Sequence, residues 1–168
     1  MFLKLLGSAA AEGWPAIFCN CEPCQKAREL GGKNLRRRTS YQLGEEIHLD
    51  FGPDSYGAAL EYGLDYSRLR HLFITHSHRD HWLPEELRLR REGYGYNVFS
   101  PMMVHGNEKI GQELAAMGED YEGIRLQFRQ VQPYARIDLG QDWSAIGLPA
   151  SHATGEQALN YLFTYKGR

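Results

Sequence analysis

The fold of this chain is decided by residues 72–81, which read LFITHSHRDH. The apolar first part predicts a buried strand, and the polar second part follows it directly. Because side chains alternate along extended backbone, His76 and His78 point to the same side. Asp80 and His81 lie past the turn and can face a second, neighbouring point. We expect two imidazoles at one point, and a carboxylate with an imidazole at the next. This arrangement predicts the start of a two-metal hydrolytic site.

A solvated polar loop that happens to be rich in histidine is the alternative. Histidine accounts for 7 of the 168 residues, which makes chance a poor explanation for a cluster with this spacing. A further candidate ligand, His152, follows the predicted strand at residues 143–148. A lone histidine at a strand end is weak evidence, but the cluster at 76–81 favours a ligand role over a structural one.

Length and charge limit the class of protein. A chain of 168 residues is about the size of one domain, and we predict one domain over residues 1–168. The net charge of −2 argues against a nucleic-acid partner. The one dense basic stretch, residues 33–38, is interpreted as a solvated loop, with attraction of phosphate-bearing substrates as the alternative. Neither a signal peptide nor a transmembrane helix is predicted, so no membrane partner is expected.

Three cysteines, Cys19, Cys21 and Cys24, lie within six residues. Their odd number and close spacing make them poor disulfide partners and favour a reducing cytoplasm. Thiolates at this spacing can wrap one ion, which needs a fourth ligand to complete a tetrahedron. Three unconnected reduced thiols in a loop remain the alternative.

Short predicted strands alternate with predicted helices along the chain. Hydrophobic patterning predicts strands at residues 2–6, 46–51, 70–75, 98–105, 124–131, 143–148 and 159–165, and near residue 137. Helices are predicted at residues 55–62, 84–92 and 108–117, and the segment up to residue 40 is expected to be irregular after the first strand. This alternation predicts an α/β (α+β) layered fold. A polar, glycine-containing turn follows the last predicted strand without a return strand, so the polypeptide is expected to end in mid-fold.

The histidine loop resembles that of the metallo-β-lactamase-fold hydrolases. The pattern His76-x-His78-x-Asp80-His81 is similar to their signature loop, residues 49–52 (LDFG) are similar to the Asp-x-Gly element before it, and His152 is similar to their next ligand. The resemblance implies an αββα sandwich, of which this chain would supply the N-terminal portion. It also implies that Asp50 hydrogen-bonds a ligand or shapes the loop, whereas a turn-forming aspartate is the alternative.

The resemblance implies a role for each candidate ligand. His76, His78 and His152 would bind one divalent ion, zinc or manganese. Asp80 and His81 would help to bind a second ion of the same kind. Asp80 would thereby take part in catalysis. A metal-bridged hydroxide would be the nucleophile, so no serine or cysteine nucleophile is required.

One departure from the family concerns the second ion. Family members supply a bridging aspartate and a further histidine from strands after the position of His152, and no such residues follow Arg168. We therefore expect a chain truncated before those strands, weak binding of the second ion and little hydrolysis by this polypeptide alone. The exposed strand at residues 159–163 is expected to associate with another copy or with a second piece of the same fold.

The cysteine run narrows the resemblance. Residues 6–24, with their Cys-x-Cys-x-x-Cys segment, resemble the branch that contains the cyclic-phosphate phosphodiesterase of the carbon–phosphorus lyase pathway. This likeness implies a structural zinc at Cys19, Cys21 and Cys24, completed by a late histidine, and a small phosphodiester substrate. The segment is also similar to pyrroloquinoline-quinone biosynthesis protein B, whose histidine loop is degenerate, and the intact loop here favours the phosphodiesterase branch. A lactone or thioester hydrolase and an inactive fragment remain alternatives.

The remaining histidines have structural interpretations. His48 and His71 fall in predicted strands, and His105 ends a predicted strand, where a place at a cleft rim is the alternative. Tyr94 and Tyr96 are interpreted as surface aromatics, with a wall that contacts substrate as the alternative.

Overall fold

The computed structural model describes residues 2–98, 101–118, 120–152 and 154–167. The strands of this part are β1 (Leu3–Gly7), β2 (Ser40–Leu43), β3 (Ile47–Leu49), β4 (His71–Phe73), β5 (Met102–Gly106), β6 (Leu126–Gln130), β7 (Arg136–Gly140), β8 (Trp143–Ala150) and β9 (Ala158–Tyr165). The α-helices are α1 (Glu22–Leu30), α2 (Ser55–Tyr62) and α3 (Glu108–Ala116). Shorter 3₁₀ turns occupy Gly32–Asn34, Tyr66–Arg68 and Pro84–Arg90. None of the helices in these ranges combines the length and apolar character needed to cross a membrane.

The strands form two sheets. The first sheet has six strands in the order β1 to β6, and the second has the order β7-β8-β9. β1, β2 and β3 pair antiparallel, whereas β3 to β6 run parallel. In the parallel register Leu49 lies opposite Phe73, so the segments that follow β3 and β4 leave the sheet at the same edge. This topology brings Asp50 beside the start of the histidine loop.

Two apolar clusters connect the layers. Leu72 and Phe73 are adjacent in β4 and point to opposite faces of the first sheet, and both are fully buried. The cluster between the two sheets contains Leu43, Ile47, Phe73, Val131, Ile137, Ala145 and Leu159. The cluster on the outer face contains Leu69, Leu72, Ile74, Trp82, Leu87, Met102, Val104, Ile110, Leu114, Ile124 and Leu126. Burial on both faces explains why this strand is a continuous apolar run and not an alternating one.

The predicted α/β layered fold is confirmed, and α2 has the predicted bounds. The helix α1 lies in the segment that was expected to be irregular, and that expectation was wrong; β2 begins where that segment ends and matches no predicted strand. The helix α1 has Pro23 in its first turn and ends before Gly31, whose φ of 59° favours glycine. Only Cys24 and Ala27 of this helix are buried. The sequence of the helix therefore lacks the apolar repeat of three to four residues by which helices are recognised.

The predicted helix at residues 84–92 is a 3₁₀ turn, Pro84–Arg90. Its two buried residues, Pro84 and Leu87, are three positions apart. This spacing matches the three residues per turn of a 3₁₀ helix and gives an α-helix too narrow an apolar stripe. The turn still starts at the predicted proline, which carries no N–H that the first turn would leave unpaired.

Candidate metal centre

The histidine loop is fixed by backbone hydrogen bonds on both sides. The N–H groups of His81 and Trp82 both donate to the carbonyl oxygen of His78, at 2.9 Å each, which closes a tight turn. The Trp82 side chain is fully buried in the outer-face cluster and anchors the end of the loop. The N–H of Phe51 donates to the carbonyl of His81 at 2.7 Å. The loop is therefore attached to the segment after β3 as well as to β4.

Three histidines converge as the sequence predicts. The ring nitrogens of His76, His78 and His152 that face one another all lie within 4.8 Å. The ring centroids are 4.6 Å apart for His76 and His78, 4.6 Å for His76 and His152, and 5.4 Å for His78 and His152. His76 is buried, whereas the other two are exposed. The cluster is thus open to solvent on one side, as a site that admits a substrate must be.

His76 carries the clearest sign of a ligand role. Its Nδ1 atom contacts the Thr75 hydroxyl at 2.9 Å, whereas its buried Nε2 has no hydrogen-bond partner among the described residues. Burial, together with the neighbouring rings of His81, His78 and His152, lowers the pKa of His76 to about 4. The ring is therefore neutral at pH 7 and has a lone pair available. A buried nitrogen without a partner is costly, and a bound cation would remove that cost.

Asp80 and His81 face a second point beside the histidine cluster. The Oδ2 atom of Asp80 lies 3.1 Å from Nε2 of His81, and the His81 ring centroid lies 4.3 Å from that of His76. Asp80 and His81 are both partly buried. This separation brings together the two side chains that the sequence predicts as candidate ligands of a second ion.

Asp50 connects His81, at the second candidate metal position, to the first sheet. Its carboxylate is 1% exposed, accepts hydrogen bonds from the Thr75 N–H at 2.8 Å and hydroxyl at 3.0 Å, and lies 2.7 Å from Nδ1 of His81. Burial raises the pKa of Asp50, and the contacts with His81 and Thr75 act against that rise. Asp50 thus hydrogen-bonds a candidate ligand, which is the first of its two expected roles, and its φ of 59° shows that it also turns the chain.

Sequence reasoning missed Glu156, which lies between β8 and β9. Its carboxylate accepts hydrogen bonds from the Ser77 N–H at 3.1 Å, the Ser77 hydroxyl at 2.7 Å and Nδ2 of Asn107 at 2.7 Å. Burial raises the pKa of Glu156, but these hydrogen bonds outweigh it and the pKa lies below its ordinary value. No local motif predicts this contact, because Ser77 and Glu156 are 79 positions apart.

The histidine cluster opens into a cleft of about 990 Å³ between the two sheets. Its apolar walls come from both sheets. They include Phe2, Leu3, Tyr41, Leu43, Leu49, Trp143, Leu159, Tyr161, Phe163 and Tyr165. His76, His81 and His152 lie at one end of the cleft, together with Asp50 and Thr75. The polar groups are therefore gathered at one place in an otherwise apolar cavity, as in many ligand sites.

The three cysteines also converge. The sulfur atoms of Cys19, Cys21 and Cys24 all lie within 4.8 Å of one another, and all three thiols are free. A hydrogen bond from the Cys21 backbone is the largest cause that lowers the pKa of Cys19. The Arg28 guanidinium donates to the carbonyl of Cys19 at 2.7 Å and so fixes the loop against α1. Within the described part of the chain this group contains three ligands, one fewer than a tetrahedral zinc requires.

Two other histidines are buried away from the cleft. His48 contacts Gln42 at 2.6 Å and Ser40 at 3.1 Å through its two ring nitrogens, which supports its structural interpretation. His105 is 1% exposed, stacks on Phe73 with ring centroids 4.3 Å apart, and does not line the cleft. The alternative that placed His105 at a cleft rim was wrong, because this side chain is buried against Phe73 on an interior strand and is not among the residues that line the cleft.

Three further sequence interpretations concern the surface. His71 is partly buried in β4, with Nδ1 3.0 Å from Nε2 of His105, so it is structural. Tyr94 and Tyr96 are 68% and 72% exposed and do not line the inter-sheet cleft, so they are surface aromatics. In the basic stretch, Arg37 pairs with Glu61 and Arg38 pairs with Asp54, so two of its charges are used in ion pairs.

Comparison with known proteins finds similarity at the level of structure. No protein-family model and no curated protein matches the chain. A diphosphatase of the PhnP family has a TM-score of 0.75 at 24% identity, covering 96% of this chain and 61% of its own. Zn²⁺-bound PqqB from Methylobacterium extorquens has a TM-score of 0.70 at 18% identity, covering 99% and 60%. The metallo-β-lactamase-fold protein YhfI from Bacillus subtilis has a TM-score of 0.65 at 14% identity, covering 96% and 57%.

The chain therefore has the metallo-β-lactamase fold, which confirms the fold implied by its histidine loop. It spans about three-fifths of the length of the solved structures that it matches. Identities this low establish a shared fold, and one fold supports many reactions. The residues of the site, and not the fold, determine the reaction.

Proposed function

We propose that this chain belongs to a metal-dependent hydrolase that cleaves small phosphodiesters, cyclic ones included. The observation that carries the proposal is the buried Nε2 of His76, which has no hydrogen-bond partner among the described residues and faces the rings of His78 and His152. Three imidazoles that converge in this way are suited to a divalent ion. The adjacent pair of Asp80 and His81 supplies ligands for a second ion.

The donor set fits zinc or manganese. His76, His78 and His152 would bind one ion, and Asp80 and His81 would bind its neighbour. When bound, such ions lower the pKa of a water molecule to about 7 and neutralise charge on a phosphoryl group. The apolar walls of the cleft limit the water that surrounds the substrate, which strengthens the electrostatic contribution of the charged groups.

Asp50 orients the second pair of ligands. Its contact with Nδ1 of His81 holds the proton on that nitrogen, which leaves Nε2 of His81 as the free acceptor. Nε2 is also the atom that lies near Asp80. This arrangement supplies two side-chain ligands to the second point. Two ligands bind a divalent ion weakly, so we expect the second ion to bind less tightly than the first.

The phosphodiester is favoured over another ester by two observations. The cysteine segment resembles the phosphodiesterase branch of the family, and one similar solved structure is a diphosphatase of the PhnP family. Phosphate esters carry negative charge, which a two-ion site accommodates better than a neutral lactone or thioester does. A lactonase remains the competing assignment for the same residues.

Metal content and substrate choice test the proposal together. Purified protein would be loaded with Zn²⁺ or Mn²⁺, analysed for bound metal, and assayed on bis(p-nitrophenyl) phosphate and on a lactone. We expect metal at the histidine cluster and measurable turnover of the phosphodiester that His152→Ala abolishes. His71→Gln serves as the matched control, because His71 lies outside the cleft. Turnover of the lactone alone would contradict the phosphodiesterase assignment, and absence of metal at the cluster would contradict the hydrolase.

We further propose that Cys19, Cys21 and Cys24 bind a structural zinc in a reducing cytoplasm. Three free thiols around one point support both parts of this proposal. Zinc in excess of the histidine-bound metal, lost in Cys21→Ser but retained in His76→Ala, is the expected result. Equal zinc content in Cys21→Ser and the unaltered protein would contradict it.

We also propose that β9 is the place where another strand adds to the second sheet, from another copy or from a second piece of the same fold. Among the described residues β9 pairs with β8 alone. Its eight residues, Ala158–Tyr165, include no charged side chain and no proline to discourage pairing.

A further inference from the structure

Of the three converging histidines, His152 is the one that lies outside the histidine loop. It is exposed and follows the end of β8. Within the described residues no hydrogen bond fixes its ring, whereas Nδ1 of His76 contacts Thr75. The position of His152 relative to the histidine loop must therefore be set by the rest of the segment between β8 and β9.

Glu156 attaches that segment to the histidine loop. Ser77 lies between His76 and His78, and both its N–H and its hydroxyl donate to the Glu156 carboxylate, at 3.1 Å and 2.7 Å. These contacts connect the segment that carries His152 directly to the backbone between the other two histidines. A carboxylate that accepts from several donors at once forms strong, directional hydrogen bonds.

Asn107 fixes the other side of the Glu156 carboxylate. Its Nδ2 donates to Glu156 at 2.7 Å and to the carbonyl of Gln157 at 2.9 Å. Its Oδ1 accepts from the N–H of Ile110 at 3.1 Å and so caps α3. The cap leaves the amide of Asn107 one orientation, with its N–H₂ group toward Glu156. Both oxygens of Glu156 therefore face donors, and an amide in its place would turn an N–H₂ group either toward the N–H₂ group of Asn107 or toward the N–H of Ser77.

We propose that Glu156 is a positioning residue that fixes His152 relative to His76 and His78 and thereby sets the metal affinity of the histidine cluster. This inference rests on the proposed function, because it assumes that the cluster binds a metal. Glu156 itself does not act as a ligand, since its two oxygens are engaged by Ser77 and Asn107.

The test uses Co²⁺ as the probe. Its visible absorption distinguishes an ion on histidines from an ion on thiolates, so the cysteine cluster does not obscure the measurement. Glu156→Gln should weaken Co²⁺ binding at the histidine cluster about 10- to 100-fold, the range seen when residues that orient metal ligands are replaced. Ser77→Ala, which keeps the charge of Glu156 but removes one hydrogen bond, should cause a smaller loss. Glu108→Gln is the control, because it removes an exposed charge next to Asn107 whose side chain, among the described residues, is hydrogen-bonded by Gln112 and not by the histidine loop.

A double-mutant cycle separates positioning of His152 from general damage. In a His152→Ala background, Glu156→Gln should cause little further loss of affinity, because the residue that it positions is gone. Thermal unfolding in EDTA checks that the variants fold. If Glu156→Gln does not fold, Ser77→Ala replaces it in the same double-mutant cycle. An equal loss in both backgrounds, or unchanged affinity in Glu156→Gln, would overturn the inference while leaving the proposed function intact. Failure of the unaltered protein to bind Co²⁺ at the cluster would instead overturn the proposed function.

Discussion

Asp50 and His81 are joined by a 2.7 Å contact between Oδ2 and Nδ1 across two segments that are 31 positions apart. The contact lies where β3 and β4 end, because parallel pairing places both exits at one edge of the sheet. It ties the candidate ligand His81 to the backbone N–H of Thr75 through one buried carboxylate. The orientation of the candidate ligand His81 therefore depends on Asp50.

Replacement of Asp50 should affect the second ion more than the first. Asp50→Asn keeps the shape of the side chain but sets the tautomer of His81 less firmly, and we expect about 10- to 100-fold weaker binding of the second ion. Isothermal titration with Mn²⁺ would measure the two binding steps separately. An equal loss at both steps would contradict a specific effect on His81.

Replacement of Gly52 should destabilise the protein. A Cβ at this position would overlap the carbonyl oxygen of Asp80, which is backbone and cannot move aside cheaply. Gly52→Ala should lower the free energy of unfolding by about 1–3 kcal/mol, as expected for overpacking. Chemical denaturation in EDTA would measure the change without a contribution from metal.

Gly57→Ala is the matched control for Gly52. Gly57 lies inside α2, and the nearest atom to an added Cβ there is Nε of Arg37 at 3.8 Å, an ordinary contact. Alanine is a better helix former than glycine by roughly 1 kcal/mol. Gly57→Ala should therefore be neutral or stabilising, and a loss as large as that of Gly52→Ala would show that the proposed overlap is not the cause.

The sequence predicted which histidines lie close together better than it predicted the elements around them. The spacing at 76–81 required only the alternation of an extended chain and one turn, and His152 was found because a strand precedes it. Local patterns of this kind are visible within ten residues. Glu156 was missed because its role comes from contacts with Ser77 and Asn107, which only the fold brings near. The helix α1 was missed because it buries only two of its nine residues, so its sequence shows no helical repeat of apolar residues.

Buried neutral histidines should make the metal-free protein sensitive to acid. Burial lowers the pKa of His105 to about 3, below the value of about 6.5 for an exposed histidine. Because the folded-state pKa is the lower one, unfolding takes up a proton below about pH 6.5, and stability falls as the pH drops from there toward 3. At pH 5 one such group lowers the free energy of unfolding by roughly 2 kcal/mol relative to pH 8.

His105→Phe isolates this effect. Phenylalanine keeps the stack on Phe73 and removes both the titrating ring and its buried Nδ1, which has no partner among the described residues. We expect the difference in melting temperature between pH 8 and pH 5, measured in EDTA, to become smaller than in the unaltered protein. His48, whose pKa is also about 3, remains and should retain part of the dependence. An unchanged pH dependence would show that His105 already titrates normally.

The open edge of β9 should make the purified chain associate with other copies. The N–H of Leu159 donates to the carbonyl of Thr75 at 2.9 Å, but among the described residues no strand pairs with the outer edge of β9. Light scattering should show a mass that rises with protein concentration.

Leu162 is 49% exposed on this strand, and Leu162→Lys should reduce association, because a charged edge disfavours strand pairing. Leu60→Lys is the control, since Leu60 is 68% exposed on α2, a helix that is not part of the second sheet. A monomer at all concentrations, or equal association of both lysine variants, would contradict pairing through β9.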